Sequence, residues 1–249
     1  MWTSYPVRED SWLWRFADLL YPPSCAGCGA PAGGDDPYLC ARCAVMIPWR
    51  DPVRCPSCEQ PVARPRQWCL ACQAIWPAAE RIIALGYYGG ALRRAIRVFK
   101  YGPVRGVGAW LAEMLARRVP REVGGIDCVV PVPGGRARRR TRGFDPAEVI
   151  AGPVARWLAV PLETGLVVRA RDGTHHAGRA RIDREIQVHD RFACTRPGAL
   201  AGQRVLVVDD VYTTGATLEC VTRLLKEEAG ARNVVGAVLA RAVSEGPPR

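Results

Sequence analysis

A chain of 249 residues with 49% hydrophobic and 24% charged residues has enough apolar material for a folded core, which excludes a disordered or low-complexity class. The net charge of +11 comes almost wholly from arginine, since Lys100 and Lys226 are the only lysines; a GC-rich coding sequence produces that bias, so bulk charge argues only weakly for nucleic acid. Eleven cysteines with no secretory signal argue against a disulfide framework and predict reduced thiols in a cytoplasmic chain.

Trp12, Leu13, Trp14, Phe16, Leu19 and Leu20 predict an amphipathic helix leading to Pro22 and Pro23. Glu9, Asp10, Arg15 and Asp18 interrupt it, so it is too short and too charged to span a bilayer, and no later run approaches a transmembrane segment. Four C-x-x-C pairs follow: Cys25 and Cys28, Cys40 and Cys43, Cys55 and Cys58, Cys69 and Cys72, separated by eleven, eleven and ten residues. Each pair can grip one edge of a tetrahedral ion, and such spacers let a short hairpin return to it, so the pattern predicts two structural Zn²⁺ sites in zinc-ribbon form. Neighbouring pairs combine most simply as Cys25, Cys28, Cys40, Cys43 and Cys55, Cys58, Cys69, Cys72; spacing alone leaves a crossed pairing open. A thioredoxin-like redox protein would need only one such pair. Cys128, Cys194 and Cys220 stand outside the pattern and read as buried free thiols. Residues up to about Trp76 are too rich in Cys, Pro and Gly to build a core without metal, which divides the chain into a zinc module over 1–78 and an α/β domain over 79–249.

The second part alternates in period. Strands are predicted over 81–88, 126–132, 205–208 and 234–239, and helices over 92–99, 107–119, 147–158 and 216–228, with a looser stretch between the third helix and the 205 strand. That alternation describes a parallel sheet with helices around it. After the Val129-Val130-Pro131-Val132-Pro133 strand end come Gly134, Gly135 and five arginines, Arg136, Arg138, Arg139, Arg140 and Arg142. A glycine loop with guanidinium forks at a strand's carboxyl end suits pyrophosphate, and equally suits a nucleic-acid backbone; a solvated loop is the plain alternative.

The most informative run is Val205 to Leu218. A buried strand ends at Asp209 and Asp210, and Thr213, Thr214, Gly215, Ala216 and Thr217 open a helix whose N-terminal amides and hydroxyls make a phosphate cradle. Two carboxylates beside a phosphate would repel it, so they should face a hydroxyl-bearing neutral part such as a ribose. Competing phosphate motifs are missing: there is no G-x-x-x-x-G-K-[ST], and Gly106-Val107-Gly108 meets Leu111 where a third glycine would stand. The array resembles the phosphoribosyl-pyrophosphate motif of type I phosphoribosyltransferases. That resemblance implies that Asp209 and Asp210 hold the ribose 2′ and 3′ hydroxyls and that Thr213 to Thr217 hold the 5′-phosphate.

With Asp18-Leu19-Leu20-Tyr21-Pro22-Pro23-Ser24-Cys25, the four Cys pairs, Phe99-Lys100-Tyr101-Gly102, Val130-Pro131-Val132-Pro133, Arg142-Gly143-Phe144 and the acidic motif, the chain resembles the ComF family of competence-associated phosphoribosyltransferase-like proteins. The resemblance implies a type I phosphoribosyltransferase-like α/β fold, a parallel sheet with flanking helices, preceded by a small double zinc ribbon. It also implies phosphoribosyl pyrophosphate and Mg²⁺ as ligands, pyrophosphate contacts from Lys100, Pro133, Gly134, Gly135 and Arg136, and a link with competence and DNA uptake through single-stranded DNA or proteins of the uptake machinery. Arg138, Arg139, Arg140 and Arg142 are the nucleic-acid candidates. Two departures fall near the expected reactive centre: Asp145-Pro146 where many members have Asn-Gln, and His176-Ala177-Gly178-Arg179 where Gln-Ser-Gly-Leu is usual. The polar span 169–191 is the candidate lid, in which His175 and His176 read as surface residues. Two function classes remain: transfer of a phosphoribosyl group to an acceptor that the sequence does not name, or a non-catalytic protein that senses phosphoribosyl pyrophosphate or binds single-stranded DNA.

Overall fold

The computed structural model describes residues 24–32, 38–47, 53–102, 106–170 and 192–243, with backbone alone at 136–138. The expected N-terminal helix and most of the candidate lid, with His175, His176 and the 176–179 departure, lie outside the described residues.

Four parallel strands form the central sheet in the order β1 (Ile82–Tyr87), β6 (Asn233–Arg241), β5 (Arg204–Tyr212), β2 (Cys128–Pro131). Side chains alternate across it, and both faces are apolar, as a parallel sheet clad on two sides requires. Ile83, Leu85, Val129, Leu206, Val208 and Leu239 point into one core layer with α3 (Gly90–Tyr101), α4 (Gly106–Glu122) and α6 (Pro146–Leu158). Ile82, Ala84, Val130, Val205, Val207 and Val238 point the other way, toward α7 (Ala216–Glu227) and a two-stranded antiparallel hairpin of β3 (Val167–Arg169) and β4 (Phe192–Cys194). Full burial of one such side chain contributes about 2 kcal/mol, so Leu206→Ala is expected to cost about 2–5 kcal/mol with its cavity.

Each strand and helix predicted over 79–249 is present, with shifted ends. β5 runs on from Val208 to Tyr212 because Asp209, Val211 and Tyr212 pair with Val238, Ala240 and Arg241 of β6. Two expectations are corrected. The arginine run is a helix, α5 (Arg136–Arg142), and not a loop; it starts after Gly135 and stops at Gly143, whose φ of 74° is the left-handed conformation that ends helices. Cys194 is half-buried at the end of β4, whereas Cys128 and Cys220 are buried as expected.

The Cys-rich part consists of two similar units. In each, a C-x-x-C turn is closed by antiparallel bridges, Ser24 to Pro31 and Arg54 to Pro61, and faces a five-residue helix, α1 (Ala41–Val45) or α2 (Leu70–Ala74), that carries the last cysteine. The second unit covers the open edge of β1. Ile82 N donates to Ser57 O at 2.6 Å and Ala84 N donates to Glu59 Oε2 at 3.3 Å, so two outward amides of an edge strand are satisfied by the turn itself. Glu59 is 2% exposed and sits 3.6 Å from Arg54, which also reaches Glu122 on α4. The first unit packs against α3 and α4, with Gly27 against Ala91 and Tyr38 beside Trp110 at 6.0 Å between ring centroids.

Candidate functional site

The eight paired cysteines gather into two groups, Cys25, Cys28, Cys40, Cys43 and Cys55, Cys58, Cys69, Cys72, with the four sulfurs of each within 4.8 Å of one another. The neighbouring partition is therefore the correct one. Cys28 and Cys40 sulfurs are 3.7 Å apart and Cys58 and Cys69 sulfurs 3.5 Å, close to the spacing of roughly 3.8 Å that tetrahedral Zn–S bonds of about 2.3 Å impose. The donor set fits a divalent soft-ligand cation. Burial, then the neighbouring Cys28 sulfur, pushes Cys43 up to about 12, while the hydrogen bond from Cys58 pulls Cys55 down to about 4. Four thiolates this close need a cation among them.

The carboxyl ends of β2 and β5 open into a cavity of about 220 Å³. Its walls include Asp209 and Asp210 from β5, Thr217 from the first turn of α7, Pro133, Gly134 and Gly135 after β2, Lys100 and Tyr101 from α3, and Arg139 and Arg142 from α5. Burial, then the charge of Asp210, pushes the Asp209 carboxyl up to about 7. Asp209 Oδ1 accepts the Asp210 N–H at 2.8 Å, and Lys100 Nζ lies 2.7 Å from Asp210 Oδ1. Two acids thus share one lysine, and the cleft is short of positive charge on this side. Hard oxygen donors with an unbalanced charge fit a Mg²⁺-bearing ligand.

The residues expected to cradle a phosphate, 213–217, turn sharply at Gly215, whose φ is 87°, before α7 begins. A Cβ there would lie 2.2 Å from the Tyr212 hydroxyl, so only glycine fits. Thr213, Thr214 and Ala216 are exposed at the helix N-terminus, and Thr217 faces the cleft. Across the cavity, Gly134 N donates to Asp145 Oδ2 at 2.6 Å, and Asp145 Oδ1 caps α6 by accepting Ala147 N at 3.2 Å. Arg169 lines the same wall and donates from Nε to Pro133 O at 3.1 Å, with its guanidinium 4.9 Å from the Phe192 ring centroid.

Residues 145–249 match the phosphoribosyl transferase domain family, and residues 16–73 match the double zinc ribbon domain family. DNA utilization protein YhgH of Salmonella typhimurium is 28% identical over 219 residues, 86% of this chain and 95% of that protein. Competence protein F of Haemophilus influenzae is 26% identical over 196 residues, 76% of this chain and 84% of that protein. The chain belongs to the ComF/YhgH family. Among solved structures, the glutamine phosphoribosylpyrophosphate amidotransferase of B. subtilis superposes with a TM-score of 0.40 and 23% identity, covering 57% of this chain and 30% of that one, a likeness too loose to bear on function.

Within this ComF/YhgH chain, the sequence-derived residues divide by position. Asp209, Asp210, Thr217, Lys100, Pro133, Gly134 and Gly135 share one cavity, joined by Arg139 and Arg142 of the arginine run. Arg142 stacks 4.6 Å from the Tyr101 ring centroid, Arg139 reaches Glu148 at 3.4 Å, and Arg140 points to solvent. Arg136 and Arg138 lie on α5, and their side chains are outside the described residues. Sequence reasoning missed Asp145 as a part of the site, although it marked the Asp145-Pro146 departure from the ComF pattern. An N-cap acid followed by proline at the first helical position is a readable helix start, and here it also ties down the glycine loop. It missed Arg169, whose role depends on a three-residue strand too short to read.

Proposed function

We propose that the cleft binds phosphoribosyl pyrophosphate with Mg²⁺ and that the chain transfers the phosphoribosyl group to an acceptor. The observation that carries this reading is the meeting, in a single cavity, of the acidic pair at the end of β5, Thr217 of the cradle and the glycine loop after β2. Asp209 and Asp210 accept hydrogen bonds from the ribose hydroxyls, and the 213–217 turn receives the 5′-phosphate at the N-terminus of α7. Pro133 to Gly135, with Arg139 at the wall, receive the pyrophosphate. Positive charge builds on the ribose ring as the pyrophosphate leaves. The half-buried acids stabilise the first and the arginines the second. Mg²⁺ would be held on the side of Asp209 and Asp210 and would supply neutralisation of the leaving polyanion. Zinc keeps the ribbon units folded, and the division into a zinc module over 1–78 and a phosphoribosyltransferase-like domain over 79–249 belongs to the same reading.

The relatives' names, DNA utilization protein and Competence protein F, support placing this chemistry in the handling of DNA by the cell. A cytoplasmic location follows from that role; among the described residues no helix is long and apolar enough to cross a membrane. A second reading, binding of single-stranded DNA or sensing without transfer, is supported by Arg139 and Arg140, which stand exposed on α5 beside the cleft. DNA affinity through these arginines would fall steeply with salt and would survive Asp209→Asn/Asp210→Asn.

Equilibrium dialysis against labelled ribose 5-phosphate and, separately, against Mg²⁺-pyrophosphate tests the first reading. Both ligands are expected to bind, with ribose 5-phosphate lost in Asp209→Asn/Asp210→Asn and pyrophosphate retained. Failure of both ligands to bind the zinc-loaded wild type would overturn it.

A further inference from the structure

The proposed phosphate cradle is supported from behind by the second cysteine cluster. Tyr212, the last residue of β5, packs against both the cluster of Cys55, Cys58 and Cys72 and the core layer beneath α7. The cradle then folds back onto the same ring: the space where a Gly215 Cβ would lie is filled by the Tyr212 hydroxyl and Cζ, at 2.2 and 2.5 Å. One phenol therefore separates the metal-binding cluster from the backbone of the turn.

Arg241 locks this arrangement. It is the residue paired with Tyr212 in the β5–β6 register and is only 9% exposed. Its guanidinium carbon lies 4.6 Å from the Tyr212 ring centroid, and its Nη1 donates to Thr213 O at 2.5 Å and Ala242 O at 2.7 Å. A buried cation stacked on an aromatic ring and bonded to the first carbonyl of the cradle leaves that segment little freedom. Neither residue lines the cavity.

We propose that Tyr212 and Arg241 are positioning residues through which the metal-loaded second cysteine site, and not the first, fixes the 213–217 turn in its phosphate-binding shape. This rests on the phosphoribosyl reading for its ligand but not for its geometry. Loss of metal at Cys55, Cys58, Cys69 and Cys72 frees the face of Tyr212, the ring withdraws from Gly215, and the cradle amides lose their common direction. Loss of metal at Cys25, Cys28, Cys40 and Cys43 leaves the turn unchanged, because that cluster packs on α3 and α4.

The test uses the full chain in four forms: wild type, Cys55→Ser/Cys58→Ser, Cys25→Ser/Cys28→Ser and Tyr212→Ala, with zinc content measured for each. Amide exchange over 213–217 needs no ligand; it is expected to quicken about tenfold in Cys55→Ser/Cys58→Ser and in Tyr212→Ala, with 205–208 unchanged, and to stay as wild type in Cys25→Ser/Cys28→Ser. Ribose 5-phosphate affinity should fall by about the same factor in the first two while Mg²⁺-pyrophosphate affinity holds, and Tyr212→Phe should keep most of it. Unchanged exchange in Cys55→Ser/Cys58→Ser, or equal quickening in both cysteine variants, overturns the proposal. A wild type that binds neither ligand but shows the expected exchange pattern would refute the phosphoribosyl reading alone.

Discussion

Lys100 Nζ sits 2.7 Å from Asp210 Oδ1, joining the end of α3 to the end of β5 across the mouth of the cleft. The pair is mostly buried, with side chains 15% and 20% exposed, so screening by solvent is limited. It also acts on a third group, since the Lys100 charge lowers the Asp209 carboxyl against the burial that raises it. The sequence offered Lys100 as a pyrophosphate contact; the structure has it compensating the acids.

Replacing Lys100 by Met should therefore raise the Asp209 titration further. The midpoint of the pH dependence of ribose 5-phosphate binding, measured by calorimetry, is expected to move up. An unmoved midpoint would mean that the lysine does not act on the acidic pair.

The Asp209 carboxyl is raised from 3.8 to about 7, first by burial and then by Asp210. A folded-state value above the unfolded one contributes stability that is fully present below about pH 3.8 and is lost as pH rises through about 7. Chemical denaturation of wild type should show that fall relative to Asp209→Asn, which cannot titrate there. Ligand binding runs the opposite way. A Mg²⁺-bearing ligand favours the ionised acid, so affinity should increase from pH 6 to about pH 8 with release of up to about one proton, read from calorimetry in buffers of different ionisation enthalpy.

Asp145 accepts from both Gly134 and Ala147 and is 4% exposed. Asp145→Ala strands both amides and should cost about 1–3 kcal/mol in urea unfolding, with a weaker pyrophosphate site. Asp145→Asn, with a single acceptor oxygen, should fall between the two. Wild-type stability in Asp145→Ala would show that the glycine loop is held by other contacts.

Metal analysis should find about two zinc ions per chain, and stripping them with a chelator should release the Ile82 and Ala84 amides that Ser57 and Glu59 now hold. Amide exchange at β1 would quicken ahead of β5, which is buried in mid-sheet. A thiol redox protein would instead carry labile disulfides and little metal.

The sheet was readable because its strands are β-branched runs buried on both faces, and helices such as α3 place Leu92, Ile96 and Phe99 on one side. The Cys partition followed from nearest-neighbour spacing, though only the gathered sulfurs decide it. β5 was read short because Asp209 and Asp210 are poor strand formers; pairing with Val238 and Ala240 overrides that preference. The arginine run looked like a loop by charge alone, although arginine is a good helix former and Gly143 stood ready as its stop. The contacts behind the cradle were illegible, since Tyr212, Gly215 and Arg241 meet only through strand register and through a ribbon more than a hundred residues earlier.

The acidic pair, the cradle and the glycine loop are proposed to form one binding site for phosphoribosyl pyrophosphate. Isothermal titration of the zinc-loaded chain with phosphoribosyl pyrophosphate and Mg²⁺, beside Asp209→Asn/Asp210→Asn, measures it most directly. Saturable binding at one site per chain is expected in the wild type, and its loss in the variant. Absence of binding by a folded, zinc-loaded wild type, or equal binding by both, would contradict it.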